Sequence, residues 1–366
     1  MSRPPLRVLF ALSLAGLTAF GCSSNDDALS GAGGDVAGSV TEAPVARPAD
    51  GGDGEVVSAD AVPVDADLPV YERGEVVTGT ITSKGSDTMR AVMDYWTEGF
   101  EEFHPAVDTE LESKGSSSAP TALIEGTALI GVMSRPMKDS EIQAFEAKYG
   151  YKPTELKTSR DLLAVFVNKD NPVEHLTLPQ VDAIFSANRN LGMEEPITRW
   201  GQAGVDGPLA EQSISLYGRN SASGTYGYFK EVALGDGDYS NAVKEQSGTS
   251  GSVQAVADDA AGIAYSGVGG TIAGVRALPL AADEGGEYFE PSVENADTGD
   301  YPLARFLLIY VNKAPDQDLD PLPREFLKYV FSKQGQQKVV QAGYFPISAE
   351  EAADQLEVAG ISADAN

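Results

Sequence analysis

From Val76 to Val340 the apolar residues of the chain follow two alternating rhythms. Val76–Ser83 alternates apolar and polar positions, the period of a half-buried strand. Met89, Val92, Met93, Trp96, Phe100 and Phe103 then recur at three- and four-residue steps, which predicts an amphipathic helix. Val107–Ser113 returns to the strand pattern. Pro120 and Gly126 bracket a short helix, one in its first turn and one at its end. Leu129–Met133 is a continuous apolar run, consistent with a buried strand. Strands alternating with helices predict an α/β fold with a largely parallel sheet. In such folds ligands gather at the loops where strands hand over to helices.

Two later segments share a character. Leu162–Lys169 reads Leu-Leu-Ala-Val-Phe-Val-Asn-Lys, and Phe306–Lys313 reads Phe-Leu-Leu-Ile-Tyr-Val-Asn-Lys. The stretch between them is long enough for a second domain. Taken separately they are two core strands. Taken together they form a two-stranded hinge, at which the chain leaves one lobe and later returns to it. On that reading residues 76–162 and 307–350 form lobe one and residues 163–306 form lobe two. Phe326, Leu327, Val330 and Phe331, followed by Val339 and Val340, predict helix closing lobe one. Residues 351–366 are read as a C-terminal tail.

The N-terminus follows a different logic. Arg3 and Arg7 precede an apolar run from Val8 to Phe20, which has signal-peptide length and is shorter than a membrane span. The run leads into Cys22, the only cysteine of the chain. A signal sequence ending at a lone cysteine resembles a bacterial lipoprotein signal. That implies a signal peptide over residues 1–21 and a lipid on Cys22, although Ala19 and Phe20 depart from the usual residues of the pattern. An ordinary secretory signal with a free cysteine is the other reading. Residues 22–75 are rich in Gly, Ala, Pro, Val and acidic residues and bury too little apolar surface to offset their ordering entropy. They are read as a disordered acidic linker.

The whole chain has 366 residues, which suits two domains, and a net charge of -29. That charge excludes nonspecific nucleic-acid binding, because phosphate backbones would be repelled. A single cysteine rules out an intramolecular disulfide and a cysteine-based metal site. The sequence implies no cofactor: there is no P-loop, dinucleotide fingerprint or zinc motif. His104, before Pro105 at a helix end, and His175, in a loop, are the only histidines and leave little for histidine catalysis. A serine hydrolase is disfavoured further by the absence of a Gly-x-Ser-x-Gly elbow.

Four polar loops carry the candidate chemistry. They are Gly85-Ser86-Asp87-Thr88, Gly115-Ser116-Ser117-Ser118, Ser134-Arg135 and Arg219 to Thr225 (Arg-Asn-Ser-Ala-Ser-Gly-Thr). Three of them open predicted helices, and the last precedes Tyr226–Leu234. A helix N-terminus offers unpaired N–H groups and partial positive charge to an anion. Serine and threonine add hydroxyl donors, glycine lets the backbone approach closely, and arginine meets two oxygens of a tetrahedral oxyanion at once. A single loop of this kind is more often a plain helix cap. Four together, with two arginines, point to an oxyanion site.

These pieces resemble the phosphate-binding proteins of bacterial ABC-type phosphate uptake systems, a branch of the type II periplasmic binding protein superfamily. The matching elements are Gly85–Met89, Gly115–Ser117, Ser134–Met137, Arg219–Thr225, Gly262–Tyr265 and Tyr301–Arg305, within a similarity covering residues 76–350. The resemblance implies a two-lobed α/β binding protein with a two-stranded hinge, and not an enzyme. It implies a monomer, exported and tethered by lipid to the membrane, that passes inorganic phosphate to ABC transporter permease subunits.

In that family hydroxyls, backbone amides and an arginine hold the anion without water. By position, Thr88 donates through hydroxyl and amide, with the Met89 amide beside it. Ser116 donates from the second loop, and Ser134 lies in the third. Arg219 supplies the fork, and Ser223, Gly224 and Thr225 supply the helix N-terminus. Ser86 and Asp87 flank the first loop. Better-known members carry at the position of Arg135 an aspartate that accepts the proton of hydrogen phosphate. Here Arg135 either faces the ligand or forms a structural ion pair, and Asp87 is a substitute acceptor. A binding protein for sulfate or molybdate, and a phosphate-sensing surface protein, are the competing readings.

Overall fold

The computed structural model describes residues 63–362. The expected signal peptide, Cys22, most of the linker and residues 363–366 lie outside the described residues. The chain opens with strand β1 (Gly79–Gly85), helix α1 (Arg90–Phe103), strand β2 (Val107–Glu112), helix α2 (Ser118–Glu125), strand β3 (Ile130–Met133) and helix α3 (Asp139–Tyr149). Strand β4 (Thr154–Asn168) follows, with β5 (Leu176–Thr177), α4 (Leu178–Phe185), β6 (Ser215–Arg219), α5 (Gly224–Ala233) and β7 (Lys244–Gln246). Then come α6 (Gly248–Ala257), β8 (Gly262–Gly267), β9 (Val275–Ala277), β10 (Leu280–Ala281) and α7 (Val293–Asp297). Strand β11 (Ala304–Val311) and helices α8 (Pro321–Val330), α9 (Lys333–Gln341) and α10 (Ala349–Val358) complete the fold.

The main sheet runs β2-β1-β3-β11-β4-β8-β6-β7, with β9 also on β4, and β10 pairs separately with β5. Pairing is parallel within β2-β1-β3 and within β8-β6-β7. It is antiparallel wherever β4 or β11 takes part in this sheet. Strand β4 joins the two halves of this sheet: Thr154–Leu162 pairs with β11, and Leu163–Val167 pairs with β8. Asp161 lies directly opposite Arg305 in this register.

Four hydrophobic clusters pack on the sheet, and the two largest are the cores of the two lobes. In the first, Val92, Met93, Trp96 and Phe100 of α1 pack with Ile81, Leu156, Ile309 and Phe326. Full burial of each such side chain contributes about 1.5–3 kcal/mol. Trp96 also donates through Nε1 to the Gly335 carbonyl at 2.8 Å, which fixes α1 against α9. In the second lobe, Val165, Phe185, Trp200, Phe229, Ile263 and Tyr265 form the core.

Two boundaries differ from the expectation. The linker reading extends to residue 75, yet Leu68 and Tyr71 are buried in the first core. The Tyr71 hydroxyl lies 2.7 Å from His104 Nε2 and donates to Glu325 at 3.2 Å. Residues 351–358 are not a tail. They continue α10, whose Ser348 and Glu351 form a capping box and whose Ala352 and Leu356 are buried. Asp65 accepts the Ala349 N–H at 2.8 Å, which ties the start of α10 to the segment expected as linker. Among the described residues no helix is long and apolar enough to cross a membrane.

Candidate functional site

The site forms where β1, β2, β3 and β6 end and α1, α2 and α5 begin. Gly85 has φ +145°, and a Cβ there would sit 1.9 Å from the Val132 carbonyl oxygen, so only glycine brings the first loop against β3. The loop is held by Ser86 N–H to the Val132 carbonyl at 2.8 Å and by Gly115 N–H to the Gly85 carbonyl at 2.8 Å.

Three serines from three loops then meet. Ser86 Oγ donates to Ser134 Oγ at 3.0 Å, and Ser116 and Ser134 Oγ lie 3.2 Å apart. The Ser134 N–H also donates to Ser116 Oγ at 3.0 Å. All three side chains are fully buried. Burial of so many hydroxyls is unfavourable unless each finds a partner, so their gathering marks a site.

The second lobe presents its residues from the facing side. Ser223 caps α5, and Gly224 and Thr225 form its first turn. A Cβ on Gly224 would fall 2.2 Å from Ser116 Oγ and 2.4 Å from Ser134 Oγ, so this helix end abuts the serine cluster. Thr225 and Thr88 Oγ1 lie 3.1 Å apart across the cleft. The Arg219 side chain is fully buried and donates to Thr249 Oγ1 at 3.3 Å and to Asp87 Oδ2. Its Nε and the Ser223 hydroxyl are buried with no hydrogen-bond partner among the described residues. Its own N–H donates to the Tyr265 hydroxyl at 3.2 Å, and Tyr265 stacks on Phe229 of α5 with ring centroids 3.9 Å apart. That stack fixes the direction in which β6 delivers the arginine.

Two charged residues missed at the sequence level complete the floor. Arg305 donates to Asp161 Oδ2 through Nε at 3.0 Å and Nη2 at 2.6 Å. It also donates to the Ser134 carbonyl at 2.8 Å and to Thr225 Oγ1 at 2.8 Å. One guanidinium on the hinge thus reaches a first-lobe loop and the second-lobe helix together. The sequence signal was present: Asp161 and Arg305 are charges placed just before the apolar runs of two strands. Tyr344 was also missed. It donates to the Thr88 carbonyl at 2.5 Å. Burial, then the charge of Asp161, push its phenol far above the ordinary range, so it remains a neutral donor. Burial likewise pushes Tyr228 up to about 12; its ring lies under the Arg305 guanidinium at 5.4 Å.

Among the predicted residues, Ser86, Thr88, Ser116, Ser134, Arg219, Ser223, Gly224 and Thr225 converge here. Met89 sends its side chain into the first core, which leaves only its amide near the cleft. Asp87 is half-buried with both oxygens engaged, Oδ2 by Arg219 and Oδ1 by the Thr88 N–H at 3.2 Å. A free acceptor role for Asp87 does not fit that arrangement.

Arg135 is placed differently from the reading that turns it to the ligand. Its two terminal nitrogens donate to Glu141 Oε2 and Oε1, each at 2.8 Å, and further to the Pro136 carbonyl and Ser117 Oγ. This is the structural ion pair. Burial raises the Glu141 carboxyl, but hydrogen bonds from Arg135 and the Lys138 N–H outweigh it and hold the group below its ordinary 4.5. A depressed carboxylate contributes stability above its unfolded pKa and loses it as pH falls through the folded value. Arg135→Ala is therefore expected to lower stability by about 1–3 kcal/mol at neutral pH. The gap from wild type should narrow as pH falls below 4.5. Phosphate affinity should stay within about threefold, under 1 kcal/mol. Urea melts and calorimetry measure both, and a hundredfold loss of affinity would return Arg135 to the site.

Comparison with known proteins identifies the family and the fold. Residues 72–334 match a family model described as a PBP superfamily domain. The chain is 49% identical over 298 residues to the phosphate-binding protein PstS of Pseudomonas aeruginosa, covering 81% of this chain and 92% of that protein. A phosphate ABC transporter substrate-binding protein from Clostridium perfringens, solved with bound phosphate, superposes with TM-score 0.61 and 25% identity over 73% of this chain and 99% of its own. An ABC-type phosphate transport receptor from Vibrio cholerae has the same fold, with TM-score 0.59 and 24% identity over 73% of this chain and 100% of its own.

Proposed function

We infer that this chain, which belongs to the PBP superfamily and within it to the PstS phosphate-binding proteins, captures inorganic phosphate and hands it to an ABC transporter. The observation that carries the site assignment is the pair of buried, unpartnered donors, Arg219 Nε and Ser223 Oγ, beside the Ser86, Ser116 and Ser134 cluster. A tetrahedral oxyanion supplies acceptors for all of them. Thr225 accepts from Arg305 and shares one hydrogen with the Thr88 hydroxyl, so the pair keeps one hydroxyl hydrogen for the cleft. The amides at the starts of α1 and α5 add further donors.

On this reading the two lobes close on the anion about β4 and β11, a hinge motion of the kind common to binding proteins. No covalent step is needed, and the protein acts as a carrier and not an enzyme. It works as a monomer outside the cytoplasm, held by a lipid on Cys22, with the acidic segment after it as tether. The support for that anchor is the apolar run ending at the lone cysteine. Cys22→Ser is expected to release the protein to the soluble fraction or leave the precursor unprocessed. A wild-type protein that never takes up a labelled fatty acid would remove the anchor from the reading.

Binding to the folded form alone stabilises it by about 2.7 kcal/mol at a hundredfold excess over Kd. Phosphate added to phosphate-stripped protein should raise Tm by several degrees. An unchanged Tm would overturn phosphate as the ligand. A larger rise with sulfate or molybdate would assign the cleft to that oxyanion.

A further inference from the structure

We propose that Tyr344 is a positioning residue for phosphate binding, its hydroxyl fixing the Thr88–Met89 peptide so that the Met89 N–H is aimed at the anion. The proposal rests on the phosphate reading above and extends it to a residue outside the four loops. Met89 is completely buried, and its N–H has no hydrogen-bond partner among the described residues. Orphaned N–H groups are rare in protein interiors, so this one marks a place for an acceptor. It stands one residue from the Thr88 hydroxyl, which faces Thr225 across the cleft at 3.1 Å.

The other side of the same peptide explains how the N–H is aimed. The Thr88 carbonyl accepts the Tyr344 hydroxyl at 2.5 Å and takes no backbone N–H among the described residues. In a planar trans peptide the carbonyl and the N–H point in opposite directions, so a donor that holds the one directs the other. This peptide lies just before the first residue of α1 and is outside the helical ladder. Released from Tyr344, it could turn its carbonyl toward the anion and set negative charge against negative charge. The tyrosine itself is rigidly mounted. Its N–H donates to the Val339 carbonyl of α9 at 3.1 Å, and the next residue, Phe345, exchanges hydrogen bonds with Arg160 of β4 at 2.9 and 3.0 Å. The residue before it, Gly343, is pressed against the second lobe: a Cβ on Gly269 would fall 2.7 Å from the Gly343 carbonyl oxygen. Burial keeps the phenol protonated, and the charges that bear on it next are those of Asp161, Arg305, Arg219 and Asp87, all at the site. A donor oriented before the ligand arrives spares the ordering cost on binding.

The test combines calorimetry with amide spectra of phosphate-stripped protein carrying isotope-labelled methionine, which reduces the spectrum to at most six signals. Met89→Leu, in which one signal vanishes, assigns the Met89 amide. On saturation of the wild-type protein with inorganic phosphate, the Met89 amide proton is expected to move strongly downfield, as an N–H donated to an anion does. The Met93 amide, bonded to the Met89 carbonyl at 2.9 Å, should move far less. Tyr344→Phe keeps the ring and its packing and removes only the hydroxyl. It should bind phosphate at least about tenfold more weakly, and its Met89 proton should move less at saturation. Wild-type protein that binds phosphate without the Met89 shift overturns the proposal and leaves phosphate as the ligand. A Tyr344→Phe affinity within about threefold of wild type overturns it too. So does a weakened variant whose Met89 proton still moves as in wild type, since the hydroxyl would then act on the fold alone. Wild-type protein that binds no phosphate overturns the reading beneath the proposal, and the proposal with it.

Discussion

Arg219→Ala is expected to weaken phosphate binding by two or more orders of magnitude while the protein stays folded. Truncating one side of a buried, hydrogen-bonded charge pair typically costs about 2–5 kcal/mol, and each 1.4 kcal/mol is about tenfold in Kd. Arg219 meets that description: its side chain is fully buried, one face is held by Asp87 and Thr249, and Nε is left for a ligand. Sequence alone allowed a solvated loop charge here, which would predict no effect. Arg219→Lys keeps the charge but not the planar fork, so its affinity should fall between wild type and alanine. Alanine also removes a fully buried side chain, and a modest fall in Tm should accompany the loss of binding. Calorimetry alongside circular dichroism checks both. A folded Arg219→Ala protein with wild-type affinity would mean that the cleft lies elsewhere.

Arg305→Met is expected to destabilise the protein by about 3–5 kcal/mol, the largest stability effect foreseen for a single change at the site. The reason is what it leaves behind. Asp161 is wholly buried and accepts two of its hydrogen bonds from this guanidinium; without it a carboxylate stays in the interior with no counter-charge. The Ser134 carbonyl and Thr225 each lose a donor as well. Adding Asp161→Leu to Arg305→Met removes the stranded charge and should recover most of the lost stability, since a buried pair replaced by apolar groups of similar volume is often neutral. The double variant should still bind phosphate poorly. Denaturant melts of the two proteins decide the matter: a single variant within about 1 kcal/mol of wild type would show that the pair is not what holds the hinge.

Much of the fold was open to local reading. The apolar spacing of Val92, Met93, Trp96 and Phe100 gave α1, because one face of a helix must be apolar to be buried. Boundaries were less legible. Leu68 and Tyr71 are sparse apolar residues in an acidic stretch, and nothing local shows that Phe103 of α1 and Tyr329 of α8 wait to receive the Tyr71 ring. Ser348 and Glu351 spell a helix start, which the reading of residues 351–366 as a tail passes over.

By itself the sequence determined the α/β class, the helix starts, the four hydroxyl-rich loops and the arginine that follows β6, because each is written in residues within a few positions of one another. Gly85, Gly224 and Ser223 belong to this group: backbone freedom and cap preference act locally. Only the tertiary structure decided which arginine serves which carboxylate. Arg135 stands in the most suggestive of the loops, yet Glu141, six residues on, claims its fork. Arg305 and Asp161 are 144 residues apart and become partners only because β11 lies antiparallel on β4 with those positions opposed. Ion pairing depends on distance in space, and a buried charge takes whichever partner the packed strands bring within reach.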